Sequence, residues 1–136
     1  MKNTTFSIVF VMGWAGGVAA QEVTYSDEAT QSCLADASDD ARLACVGESA
    51  NACMADTEGG STTVAMGGCL DRERQFWDDR LNTAYSELMA MYTSADAEAE
   101  AQSWNAPAQA PALKAMQRAW IGYRDARCDF ERAKWG

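Results

Sequence analysis

Residues 113–128, Leu-Lys-Ala-Met-Gln-Arg-Ala-Trp-Ile-Gly-Tyr-Arg-Asp-Ala-Arg-Cys, constrain the fold more than any other stretch of the chain. Steps of four, three, four and four residues from Leu113 reach Gln117, Trp120, Arg124 and Cys128, all on one side of a 3.6-residue helix. An ordinary amphipathic helix carries Leu or Ile at most such positions. This one carries an amide, an indole, a guanidinium and a thiol. A buried donor without a partner costs about 1–3 kcal/mol, and an unpaired charge costs more. The helix therefore requires a neighbouring helix that supplies the partners.

The stretch after Thr62 has the right pattern. A long helix is expected to begin between Thr62 and Cys69, with Gly67 and Gly68 each costing about 1 kcal/mol relative to alanine in its first turns. Leu70, Trp77, Leu81, Ala84, Leu88 and Met91 form its apolar stripe, flanked by Tyr85 and Tyr92, while Glu73, Arg74, Asp79 and Arg80 face outward. A polar row, Asp78, Asn82 and Tyr85, runs beside the stripe. Antiparallel pairing of the two helices brings Asp78 near Arg124, and Asn82 and Tyr85 near Gln117 to Ile121. An Arg124–Asp78 ion pair supported by Asn82, Gln117 and the Tyr85 hydroxyl is the expected clasp. Such a network fixes register more than it adds net stability.

The rest of the chain is shorter-ranged. Gln21 to Asp36 reads as one short helix, and a second begins at Ser38, with Asp39 and Asp40 at the positive end of its dipole. Cys53 to Thr63 reads as a loop around Gly59 and Gly60. Thr93 to Pro111 is Ala/Glu-rich and then proline-punctuated; its Ala/Glu part can extend the long helix, which can hardly pass Ala106 because Pro107 follows. Pro111 suits the first turn of the last helix, about Ala112 to Ala133. No alternating strand pattern and no repeat appears. The expected class is all-α: a disulfide-stapled antiparallel hairpin of two long helices with two shorter N-terminal helices.

Residues 1–20 read as a signal peptide, with Lys2 as the positive region, Phe6 to Trp14 as the apolar region and Val18-Ala19-Ala20 as the cleavage site. The apolar run is short for a membrane span, and Gln21 rather than a cysteine follows the cut, so neither membrane insertion nor a lipid anchor is expected. The expected product, residues 21–136, is periplasmic or secreted. Loss of Lys2 takes the net charge from −9 to −10, which disfavours nucleic acid and anionic membranes and steers cationic proteins toward the surface. Cys33, Cys45, Cys53, Cys69 and Cys128, with no Cys-x-x-Cys and no histidine in the chain, point to disulfides rather than a metal site or a thioredoxin-like motif. The count is odd, so one thiol is left over.

The combination of Cys53, Thr62-Thr-Val-Ala-Met-Gly-Gly-Cys69, Trp77-Asp, Leu81-Asn-x-x-Tyr85, Leu88 and Leu113 through Gln117-Arg-Ala-Trp-Ile-x-Tyr-Arg-Asp-Ala-x-Cys128 resembles the LprI-type lysozyme-inhibitor domain. The resemblance covers Cys53 to Trp135 and implies domain limits of 53–136, with 21–52 as an addition carrying an extra cysteine pair. It implies a Cys53–Cys69 disulfide, which leaves Cys33 and Cys45 as the second pair. The family pattern continues past the Arg-Asp-Ala-x-Cys motif to a further cysteine, whereas this chain ends at Lys134-Trp-Gly136. Cys128 is therefore expected to be unpaired, with an intermolecular disulfide as the competing reading. The residues by themselves leave three connectivities open for four paired cysteines.

No catalytic set is evident. There is no histidine to act as base, and no serine or cysteine sits beside a plausible activator. The glycine pairs at 59–60 and 67–68 do not follow strands, so no phosphate cradle is implied. No cofactor is expected. The functional expectation from the resemblance is a non-enzymatic inhibitor of cationic, lysozyme-like hydrolases, with Asp96, Glu98, Glu100 and Trp104 as the candidate contact. The alternative is a structural or protein-interaction module of the bacterial envelope.

Overall fold

The structure is a computed structural model that describes residues 22–135; the expected signal peptide lies outside the described residues. Four α-helices form, α1 (Glu28–Asp36), α2 (Glu48–Asp56), α3 (Thr63–Ala101) and α4 (Gln109–Ala133), with a 3-10 segment, Asp39–Cys45, between α1 and α2. Among the described residues there is no strand. The chain divides into two compact units at Leu70/Asp71, inside α3.

The first unit is held by staples rather than by large apolar side chains. Cys45, Ala50, Cys53, Ala65 and Cys69 are buried, and none of them is a bulky hydrophobe. Disulfides join Cys33 to Cys45 and Cys53 to Cys69, the pairing that the family resemblance implied. In the chain-entropy account each such short loop contributes about 3 kcal/mol, which a core of this size needs. α1 packs on α2, and the two helix starts cap each other. The Thr30 amide donates to Ser49 Oγ at 2.9 Å, and the Ser49 amide donates to Thr30 Oγ1 at 3.0 Å, with both residues fully buried. Each hydroxyl thus satisfies an orphan first-turn donor of the other helix.

Three local features depart from expectation. α1 begins at Glu28 rather than near Gln21. The expected second helix splits, because Gly47 takes φ +102° and separates the 3-10 segment from α2. Only glycine reaches that region without strain. The expected loop shortens, since α2 continues through Cys53 to Asp56. Within the tight return to α3, a Cβ on Gly60 would lie 1.9 Å from the Met54 carbonyl oxygen, so no other residue fits there. Thr62 then caps α3, its hydroxyl accepting from the Ala65 amide at 3.3 Å. Gly68 lets Val23 lie against the helix; a Cβ there would stand 3.0 Å from a Val23 methyl.

The second unit is an antiparallel hairpin of α3 and α4. Its α3 stripe is rotated by about one position from the expected one: Trp77, Leu81, Tyr85, Met89, Tyr92 and Ala99 are half-buried, while Leu88 and Met91 are exposed. The large bodies of Trp77, Tyr85 and Tyr92 offer more apolar area than Leu88 or Met91 and take the inward side. Leu70, the first residue expected in the stripe, belongs to the other unit and is exposed. Glu73, expected to face outward, is buried and accepts from Trp77 Nε1 at 3.2 Å. On α4, Ala110 is buried and Leu113, Gln117 and Glu131 are half-buried, one stripe with 3/4 spacing at its start. No helix among the described residues is long and apolar enough to cross a membrane.

Candidate functional site

Two surfaces of the hairpin carry the residues that the sequence singled out. The first is a groove of about 410 Å3 between the helices, lined by Arg74, Trp77, Asp78 and Leu81 of α3 and by Trp120, Arg124 and Cys128 of α4. Antiparallel pairing does bring Asp78 and Arg124 to one groove, as the spacing predicted. The expected ion pair does not form between them. Arg124 donates to Asp125 Oδ1 from Nε at 2.9 Å and from Nη2 at 2.7 Å, and its guanidinium stands 5.4 Å from the Trp120 ring centroid.

Asp78 accepts from Asn82 Nδ2 of its own helix at 3.2 Å. Gln117 and Tyr85 are half-buried, and among the described residues no hydrogen bond from Asn82, Gln117 or Tyr85 spans the hairpin. The reason is exposure. The Arg124 side chain is 43% accessible, so water solvates it and no desolvation penalty forces a cross-helix partner. Cys128, one of the groove's lining residues, is free and exposed.

The second surface is the apex where α3 hands over to α4. The Ala/Glu run is helical to Ala101, so Asp96, Glu98 and Glu100 stand on the last turns of α3 and only Trp104 of the candidate contact lies in the connection. Alanine and glutamate are strong helix formers, and nothing before Pro107 breaks the run. α3 closes in a Schellman motif: the Ser103 amide donates to Glu100 O at 3.0 Å and the Trp104 amide to Ala99 O at 2.9 Å. Ser103 takes the left-handed position usually given to glycine, with φ 56°.

Asp96 has a structural task that spacing alone did not reveal. Its carboxylate reaches across the turn and accepts from the Gln109 amide at 2.8 Å and from the Ala110 amide at 2.9 Å, capping α4 from another helix. Pro111, next in line, has no N–H to satisfy, and Ala108 at the N-cap position has no side-chain acceptor. Glu98 and Glu100 are different. They lie in the last turn or so of α3, where the helix dipole disfavours negative charge, and that turn has no basic residue. Glu98 accepts from Gln102 Nε2 at 3.1 Å, and Glu100 is exposed. Glu100, Trp104 and Pro107 line a recess of about 490 Å3 at the apex, and Trp104 is 62% exposed.

Several charges elsewhere on the hairpin are paired locally. Asp71 accepts from Arg74 and Gln75, and those bonds hold its carboxyl below the ordinary value. A hydrogen bond with Tyr123, then one to Glu131, raises Arg127 above its ordinary value. Among the described residues no group of three or more His, Cys, Asp or Glu side chains is placed to hold a metal ion.

Comparison with known proteins gives a consistent picture. The family profile described as Lysozyme inhibitor LprI matches residues 53–136, which is more than half of the chain. An uncharacterised 17.7 kDa protein from the puhA 5′ region of Rhodobacter capsulatus is 32% identical over 104 residues, covering 75% of this chain and 64% of that protein. An uncharacterised protein of Rhizobium meliloti (strain 1021) is 36% identical over 61 residues, covering 45% of this chain and 44% of that protein. The chain thus spans less than two thirds of the length of either relative. No solved structure matches it.

Proposed function

The chain belongs to the LprI lysozyme-inhibitor family, and from that premise we propose that it is an exported binding protein that inhibits lysozyme-like cell-wall hydrolases through the apex of its hairpin. The observation that carries this reading is the placement of Glu98, Glu100 and Trp104. Two carboxylates sit at the helix end that electrostatics disfavours, beside an indole that is largely exposed. Local rules broken without a stabilising return mark functional positions.

The chemistry suits a cationic enzyme with a carboxylate-lined cleft. The acidic body, net charge −9, accelerates encounter, the two glutamates engage basic residues at the cleft rim, and Trp104 supplies the apolar anchor. The two disulfides fit an oxidising compartment such as the periplasm or the extracellular space. Inhibition by occlusion needs no nucleophile, base or cofactor of the protein's own.

The test is titration of the purified protein into a lysozyme activity assay at low and moderate salt. Inhibition in the micromolar range, weaker at moderate salt, supports the reading; full activity at micromolar excess contradicts it. The groove around Trp77 and Trp120 favours a second reading, a protein-interaction module of the envelope without an enzyme target. In that case Trp77→Ala abolishes partner capture and lysozyme activity is untouched by the protein.

A further inference from the structure

The recess at the apex is built from one face of α3 and from the connection. Thr93, Asp96, Ala97 and Glu100 fall at i, i+3, i+4 and i+7 of the helix, and Trp104 and Pro107 join them from beyond its end. Glu98 is not among the lining residues and accepts from Gln102 instead. The two carboxylates of the lining are not equivalent. Asp96 uses both oxygens on the Gln109 and Ala110 amides, so its charge offsets the positive pole of α4. Glu100 is exposed and stands at the negative pole of α3, whose last turn has no basic residue.

The chain supplies no cation nearby in sequence. From Leu81 to Leu113 it holds four acids, Glu87, Asp96, Glu98 and Glu100, and no Lys or Arg. The recess therefore combines a negative charge that nothing local offsets with an indole that is 62% exposed. Its complement is a cation with a flat, weakly hydrated face. A bare metal ion does not meet that description. Hard divalent cations take six or more oxygens, and among the described residues no group of three or more His, Cys, Asp or Glu is placed to hold one.

We propose that the apex recess is a guanidinium site, filled by one arginine side chain of the partner that stacks on Trp104 and donates to Glu100. The lining favours arginine over lysine. An ammonium is a compact, strongly hydrated point charge, and it gains little from an indole while it keeps its water. A guanidinium sheds water more readily, lays its plane on the ring, and turns two parallel N–H donors to one carboxylate. The volume, about 490 Å3, lies in the range of small-molecule sites and admits the whole side chain. Asp96 is a positioning residue here, because its cap holds the start of α4 beside the recess. That the arginine belongs to a hydrolase rests on the reading above; the chemistry of the recess does not.

NMR titration of the protein with N-acetyl-arginine amide and with N-acetyl-lysine amide at low salt tests the site. Trp104 Nε1–H and the Ala108 and Gln109 amides report on it. The expected result is saturable binding of the arginine compound with a Kd of about 1–10 mM, and binding of the lysine compound at least about threefold weaker. Glu100→Gln should raise the arginine Kd about fivefold, and Trp104→Ala should do the same, read at the two amides. Trp104→Phe, which keeps a ring, serves if the alanine variant folds poorly by circular dichroism. Glu87→Gln removes the same charge from the same helix away from the recess and should leave the Kd within about twofold, which separates local pairing from the field of the whole chain.

Arginine bound no better than lysine, no saturation at the three reporters, or equal losses in Glu100→Gln and Glu87→Gln would each overturn the guanidinium site. Those results leave lysozyme inhibition free to be observed by another contact. Conversely, a recess that selects arginine in a protein that leaves lysozyme fully active upholds the site and contradicts only the hydrolase reading.

Discussion

Removing the Asp96 carboxylate should loosen the start of α4 although Asp96 belongs to α3. In Asp96→Ala the Gln109 and Ala110 amides lose their acceptors at 2.8 and 2.9 Å. Ala108 offers no side-chain replacement, and Pro111 cannot compete for an acceptor. Loss of a helix N-cap costs about 0.5–2 kcal/mol, and loss of a negative charge at a helix N-terminus adds about 0.3–1 kcal/mol. Ala110 is buried, so water can only partly replace the lost bonds. A total of about 1–3 kcal/mol follows. Asp96→Asn, which keeps one acceptor and drops the charge, should lose about half of that. Urea unfolding followed by circular dichroism measures the cost, and amide exchange at Gln109 and Ala110 locates it. If Asp96→Ala unfolds within about 0.3 kcal/mol of the parent and both amides keep their protection, the cap does not exist.

Other consequences follow from the same geometry. Ser103→Gly should stabilise the apex by about 0.5–1 kcal/mol, because Ser103 holds a left-handed conformation that glycine adopts freely; a lower urea midpoint would contradict this. Arg124→Ala should cost about 1 kcal/mol or less, since it removes an exposed ion pair and a contact with Trp120 rather than a buried clasp; a loss of about 3 kcal/mol or more would indicate a buried pair with Asp78. Asp71, held below its ordinary pKa by Arg74 and Gln75, contributes stability that is complete above the unfolded carboxylate value and is lost as pH falls through the lower folded value. Arg74→Ala should move the Asp71 carboxyl titration, followed by NMR, back upward toward its ordinary value.

The hairpin was legible because it rests on periodicity. The 113–128 stripe implied a partner helix, and Asp78 and Arg124 do meet at one groove. The α4 limits came within a few residues, since Pro111 marks a first turn. What escaped was tertiary. Thr30 with Ser49, and Asp96 with the start of α4, are caps made between elements, and spacing along one helix carries no signal for them. The Arg124–Asp78 clasp failed for a related reason. Spacing predicted proximity correctly, but burial decides whether proximate charges must pair, and the groove is open to water.

The four residues of the expected contact have different places in the fold. Glu98, Glu100 and Trp104 remain exposed, whereas Asp96 is used by the fold. A sequence signal for that division does exist. An acid some dozen residues before a helix start that has proline in its first turn and no Ser, Thr, Asp or Asn at its N-cap position is a candidate cap.

The most direct test of the account compares wild-type protein with Glu98→Gln/Glu100→Gln as lysozyme inhibitors across a range of ionic strength. The apex contact predicts inhibition by wild type that weakens steeply with salt, and weaker, nearly salt-independent inhibition by the double variant. Equal inhibition by the two proteins at every salt concentration would remove the apex from the contact, and no inhibition by wild type would contradict the hydrolase reading itself.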